Sequence, residues 1–210
     1  MLSPSRARVV AVAVVSCLLT LTLSGVVQAQ LRARIGAKDV TFNLAPPEES
    51  PNPMIASGVG VGSGVDLYFA SGTGPSVVNP SGTGPYRYAP PGTVAADLTY
   101  EQALNALRNV RANLESVGLT LADVISMRVF LQAPPDTEVA QFAGFNNAYR
   151  KFMANLDRRT GEVVPAYAPV EFPNNARPSR SLLQVANLPV SGWLVEIEVV
   201  AAYPPNRRHE

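Results

Sequence analysis

Two segments near the C-terminus carry the charges best placed to do chemistry. PSRSLLQVANLP, 178–189, puts Arg180 at the head of an apolar run, and LVEIEVVAA, 194–202, sets Glu196 and Glu198 inside another. A guanidinium presents a planar fork of donors that matches a carboxylate with two parallel hydrogen bonds. The chain has one cysteine, Cys17, and one histidine, His209. Cys17 lies in an apolar N-terminal stretch and His209 in the polar tail NRRHE, which leaves no cysteine nucleophile, no histidine-rich zinc site and no serine–histidine pair in the body of the chain. What remains is arginine, carboxylates, hydroxyls, amides and backbone groups acting on water.

The elements that position these groups begin after a leader. Arg6 and Arg8 precede VVAVAVVSCLLTLTLSGVV, and Val27-Gln28-Ala29 completes a small-x-small pattern, so residues 1–29 read as a secretory signal and the mature chain as starting at Gln30. A membrane anchor is the competing reading, because the apolar run approaches bilayer-spanning length. Export would place the protein in the periplasm or outside the cell, with no membrane contact after cleavage. Loss of residues 1–29 leaves 15 basic against 16 acidic residues, a net charge of −1. That balance gives no electrostatic footing for nucleic acid.

Residues 30–54 are polar and proline-ended and read as an arm, with at most a short strand near VTFNL. The domain is expected over 55–205, followed by a polar tail at 206–210. SGVGVGSGVDLYFASG reads as two short strands about a glycine-rich hairpin turn, with Leu67 to Ser71 the surer of them. SGTGP at 71–75 recurs at 81–85 within a proline-rich segment that reads as a long surface loop. Thr99 with Gln102 fits a capping box, and Leu104, Leu107, Val110, Leu114 and Val117 recur at helical steps, with Gly118 as the stop. DVISMRVFL, 123–131, is a strand, and Phe142, Phe145, Tyr149, Phe152 and Leu156 mark a second helix with Asn146 at the margin of its stripe. In the last strand Val195, Ile197, Val199 and Ala201 face one way, and Leu194, Glu196, Glu198 and Val200 the other. This order predicts an α+β layer with two helices on one sheet face, the second face needing another cover.

The succession of SG at 71–72, QALNALRNVRANLESVGLTLADVISMRVFL, FAGFNNAYRKF, PSRSLLQVANLP and LVEIEVVAA resembles the Rid family (YjgF/YER057c/UK114), in RidA-like form, over about 150 residues. The resemblance implies a chorismate-mutase-like mixed sheet with two helices on one face, assembled as a homotrimer with ligand clefts between subunits. It implies hydrolysis of small reactive enamines and imines, such as 2-iminobutanoate and 2-iminopropanoate, to 2-keto acids and ammonia, with no metal and no organic cofactor required. It implies that Arg180 binds the substrate carboxylate, that Glu196 acts on the water, and that Ser71 and Asn146 contact the ligand. Glu198 is an alternative to Glu196, because the two share a face and the preceding turn is one residue longer than the family spacing. The tyrosine that the family's deaminases carry before the first clear strand has no counterpart in SGVGVGSG. A non-catalytic protein holding a small carboxylate or a partner in the same cleft is the second reading. Some family members have been called ribonucleases, but near-neutral charge and the lack of a histidine pair argue against RNA cleavage here.

Overall fold

The helical spacing of Leu104, Leu107, Val110 and Leu114 produces the element it predicts. In a computed structural model that describes residues 36, 37 and 39–205, helix α1 spans Leu98–Ser116 and buries all four. Gly118, at φ +75°, takes the left-handed position that ends it. The expected capping box does not form: Thr99 lies inside the helix, and the N-cap is Asp97 with no side-chain bond. Gln102 turns inward instead. Its Nε2 donates to the carbonyls of Pro85 and Gly192, both at 2.9 Å, and its Oε1 accepts from the Leu194 amide at 2.7 Å. A buried amide that satisfies three backbone groups is worth more there than at a helix end, because orphaned buried groups cost about 1–3 kcal/mol each.

Helix α2 spans Phe142–Phe152 and buries Phe145, Tyr149 and Phe152. The apolar stripe was expected to continue to Leu156, but Met153 is extended and Ala154 sits at φ +53°, so Leu156 leaves the helix and bridges to Val163.

Among the described residues six strands accompany the helices: β1 Val40–Asn43, β2 Gly58–Val61, β3 Leu67–Phe69, β4 Val124–Gln132, β5 Ser179–Val185 and β6 Val195–Ala202. The main sheet has the order β3-β6-β4-β5, with β4 parallel to β5 and antiparallel to β6. β5 and β6 are therefore consecutive but not neighbours. The glycine-rich turn after β2 likewise joins two sheets and closes no hairpin, since β2 pairs with β1 and β3 with β6. The short strand expected near VTFNL in the arm is β1, and from Asp39 onward this segment is joined to the body through β1 and the hydrogen bonds described below.

Alternation decides what each sheet face holds. Met127, Val129 and Leu131 of β4 and Val195, Ile197, Val199 and Ala201 of β6 are buried in the core that contains α1 and α2. The opposite face presents Leu67 and Phe69 of β3, Glu196, Glu198 and Val200 of β6, Arg128 and Phe130 of β4, and Ser181 and Leu183 of β5. No described element shields Phe69, which is 70% exposed, and Leu183 and Leu67 are exposed as well. Leu194, expected on this open face, is buried in the core just before β6 begins. Among the described residues, no helix is long and apolar enough to cross a membrane. The leader 1–29 and the tail 206–210 lie outside the described residues.

Candidate functional site

Arg180 pairs in register with Met127, which places it on the helix-covered face. There its guanidinium lies over the ring of Tyr149 at 4.5 Å and that of Phe145 at 5.5 Å. Nη2 donates to Asn146 Oδ1 at 2.7 Å and to the Met54 thioether at 3.2 Å. Nη1 is buried with no partner. Burial pushes the guanidinium below its usual range, with neighbouring Arg150 acting in the same direction. Desolvation likewise raises Tyr149 to about 12, against the opposing pull of Arg180. Two residues named from the sequence, Arg180 and Asn146, are thus in direct contact. The rings beneath them and Met54 beside them were not foreseen. The Phe145/Tyr149 spacing signals only a core stripe, and Met54 fell in the presumed arm.

What holds Met54 in place is a set of arginines bound to backbone carbonyls. Arg150 donates to the carbonyls of Asn52 at 3.0 Å and Pro53 at 3.3 Å, and also to that of Ala154. Arg158 Nη1 reaches Ala45 O at 2.7 Å and Ser50 O at 3.0 Å. Arg177, only 1% exposed, donates to Pro53 O at 2.9 Å and Leu156 O at 2.7 Å. Tyr149 adds a hydroxyl bond to Met54 O at 3.1 Å. Prolines at 46, 47, 51 and 53 bring carbonyls and no amide hydrogen, so this stretch has acceptors in excess and suits cationic donors. Burial, with Arg150 and Arg158 nearby, lowers Arg177 to about 10, which still leaves it charged at neutral pH.

Glu196 is set on the other face. It pairs in register with Phe130, and its carboxylate lies against Gly72, where an added Cβ would come within 1.8 Å of Oε1. Ser71 precedes that glycine and is exposed. Burial raises the Glu196 carboxyl, and Glu198 raises it further. Glu198 differs from it in having a partner, Arg128 Nε at 3.2 Å across the strand pair. Glu196 has no ion-pair partner among the described residues, so of the two glutamates it is the one left to act on something else.

The four expected residues therefore form two groups, Arg180 with Asn146 and Glu196 beside Ser71-Gly72. Strand β4 and the sheet itself separate them. A cation with a spare buried donor and a carboxylate held above its ordinary range can bind an acid and transfer a proton, but one copy of the chain does not present both to the same point. No group of three metal-ligating side chains occurs among the described residues.

These elements form an α+β layer with two polar groups, and comparison with known proteins identifies the family. A family model described as Endoribonuclease L-PSP matches residues 70–203. The chain belongs to this family, the Rid or YjgF/YER057c/UK114 proteins. TdcF of Escherichia coli strain K12, which carries the name of a reactive intermediate deaminase, is 34% identical over 110 residues, covering 52% of this chain and 67% of TdcF. A RutC family protein of Haemophilus influenzae matches with the same identity and coverage. Among solved structures, E. coli TdcF with bound serine covers 80% of this chain and 92% of its own at 25% identity and a TM-score of 0.42. The Rid protein YyfB of Yersinia pestis covers 78% and 98% at 17% identity and a TM-score of 0.49.

Proposed function

We propose that this protein is an exported, cofactor-free hydrolase of small reactive imines and enamines, active as a homotrimer in the periplasm or outside the cell. The observation that carries this reading is the placement of Arg180 and Glu196 on opposite faces of one sheet, each with its own supporting residues. Such a pair can serve one substrate only when the open face of one copy meets the Arg180 edge of the next. The apolar residues of that face, Phe69, Leu67 and Leu183, favour such a contact, since soluble monomers rarely leave extended apolar patches bare.

In this reading Arg180 takes the substrate carboxylate, exchanging the weak Met54 thioether contact for a charge-assisted bond. An imine carbon next to a bound carboxylate is already electrophilic, so orientation supplies most of the catalysis. Glu196 of the neighbouring copy removes a proton from water as the oxygen bonds to that carbon. The proton passes to nitrogen to give a carbinolamine, and the same carboxylate then carries the hydroxyl proton to the amine as the carbonyl forms and the carbon–nitrogen bond breaks, so that ammonia and a 2-keto acid leave. A carboxylate with a raised pKa is the better base for this step, provided it is ionised at the working pH. Ser71 and Asn146 complete the ligand contacts.

The test is to generate 2-iminopropanoate or 2-iminobutanoate in place with an amino acid oxidase and to follow keto-acid release. Acceleration over buffer is expected, and equal rates with and without the protein would refute the hydrolase. A second reading, non-catalytic holding of a small carboxylate, is favoured by the absence of a tyrosine in SGVGVGSG. Calorimetry that finds keto acids bound without imine turnover would select it.

A further inference from the structure

On the helix side of the sheet lies a cleft of about 690 Å³, lined by Met54, Tyr100, Asn146, Arg150, Lys151 and Tyr167 among others. A three-carbon acid would leave most of it empty. Its volume falls in the range, about 300–1,000 Å³, of pockets that enclose drug-sized molecules. One wall is built by the long irregular segment between α2 and β5, which carries Tyr167 on a short 3-10 turn, Pro165–Tyr167. That wall is fastened to the helices. Lys151 Nζ donates to Tyr167 O at 2.8 Å, Lys151 O accepts the amides of Glu171 and Phe172 at 2.8 and 3.1 Å, and Glu171 forms an ion pair with Arg108. The Arg150 guanidinium sits 4.5 Å from the Tyr167 ring centre and backs it from one side. The segment is thus a fixed surface and not a swinging lid.

Two observations connect the cleft to Arg180. Both groups that accept from Arg180 Nη2, Asn146 Oδ1 and Met54 Sδ, belong to residues that line the cleft. Met54 is the movable one, because an unbranched thioether side chain changes rotamer easily and its sulfur is a poor acceptor. The cleft is also more cationic than anionic: Arg150 and Lys151 line it against Asp97 alone, and Arg150, 7% exposed, keeps a buried Nε without a partner.

We propose that the cleft receives the body of the ligand whose carboxylate Arg180 binds, and that this ligand is a 2-oxo or 2-imino acid with an aromatic or similarly bulky side chain. The proposal rests on the reading of Arg180 as the carboxylate anchor. Tyr100 and Tyr167 supply flat apolar walls for the side chain, and Met54 is the residue that must turn to join the anchor to the cleft.

The experiment is calorimetry on the full chain with two stable keto acids, pyruvate and phenylpyruvate. Wild-type protein is expected to bind phenylpyruvate about tenfold or more tighter than pyruvate, from the apolar area the ring buries. Tyr167→Ala should abolish that preference while leaving pyruvate affinity within about twofold, and Tyr167→Phe should keep it. If Tyr167→Ala does not fold by circular dichroism, Tyr100→Ala on the other wall should lose the same preference. Equal affinity of the wild type for the two acids would overturn the proposal, as would an alanine variant that weakens both alike. The anchor reading fails in a different way: the wild type binds neither acid, or Arg180→Ala binds both normally.

Discussion

The two faces of the main sheet solve the problem of placing a charged group in different ways. On the helix face Arg180 is walled in by Phe145, Tyr149, Asn146 and Met54, in a region where Arg150 and Arg177 are also buried and bound mainly to carbonyl oxygens. On the open face Glu196 shares its side of the sheet with exposed Phe69 and Leu183, with Gly72 leaving room for its carboxylate and Glu198 turned to Arg128. The first face is covered by helices of its own chain. The second has the composition of a surface waiting for a cover. A buried cation costs less the more of its donors are matched, whereas exposed apolar side chains gain when another surface covers them.

The harshest way to break this contrast is to charge the open face. Phe69→Asp should leave the fold intact, because the side chain is solvent-exposed, yet prevent assembly, since burying an unpaired carboxylate costs several kcal/mol. Light scattering of the variant is expected to report monomer and the imine assay no activity; a wild-type-sized assembly would show that this face is not the interface. A narrower change acts on Glu196 alone. Gly72→Ala puts a methyl group where the carboxylate lies, and the flexible glutamate must shift by more than an ångström. Turnover should fall about tenfold to a hundredfold with little change in melting temperature, as misplacement on that scale does elsewhere. Unaltered turnover would remove Glu196 from the chemistry.

The mildest change tests the electrostatics. The Glu196 base is active only when ionised, so activity is full above its raised pKa and declines as pH falls through it. Glu198→Gln removes one of the two causes of that rise, burial being the larger, so the acidic limb of the pH–rate profile should move to lower pH. Stability should hardly change, because the exposed Arg128–Glu198 pair is worth about 0.2–1 kcal/mol. A limb that stays in place would assign it to another group.

Much of this arrangement was legible in sequence where a local period carried it. The stripes of α1 and α2 and the alternation of β6 follow from spacing, and that alternation already set Glu196 against the core-facing Val195 and Ile197. The face of Arg180 was not legible, because SRSLLQV has no clean alternation and its inward side is fixed by pairing with β4. β5 and β6 are consecutive in the chain, but β4 inserts between them, a long-range pairing that no local pattern encodes. Thr99 and Gln102 matched a capping box by residue type, while the burial of Gln102 among Pro85, Gly192 and Leu194 gave it other partners. The carbonyl-bound arginines left only a faint trace, a proline-rich segment with more acceptors than donors.

The central claim, that one copy supplies Arg180 and the next supplies Glu196, is tested most directly by subunit complementation. Arg180→Ala and Glu196→Gln would each be purified and shown to assemble but not to turn over imines, then dissociated, mixed in equal amounts and reassembled. Random assortment in a ring gives about a quarter of the sites one intact Arg180 and one intact Glu196 from adjacent copies. The account predicts recovery to about a quarter of wild-type activity in the mixture. Confirmed mixed assemblies that remain as inactive as either parent would contradict it.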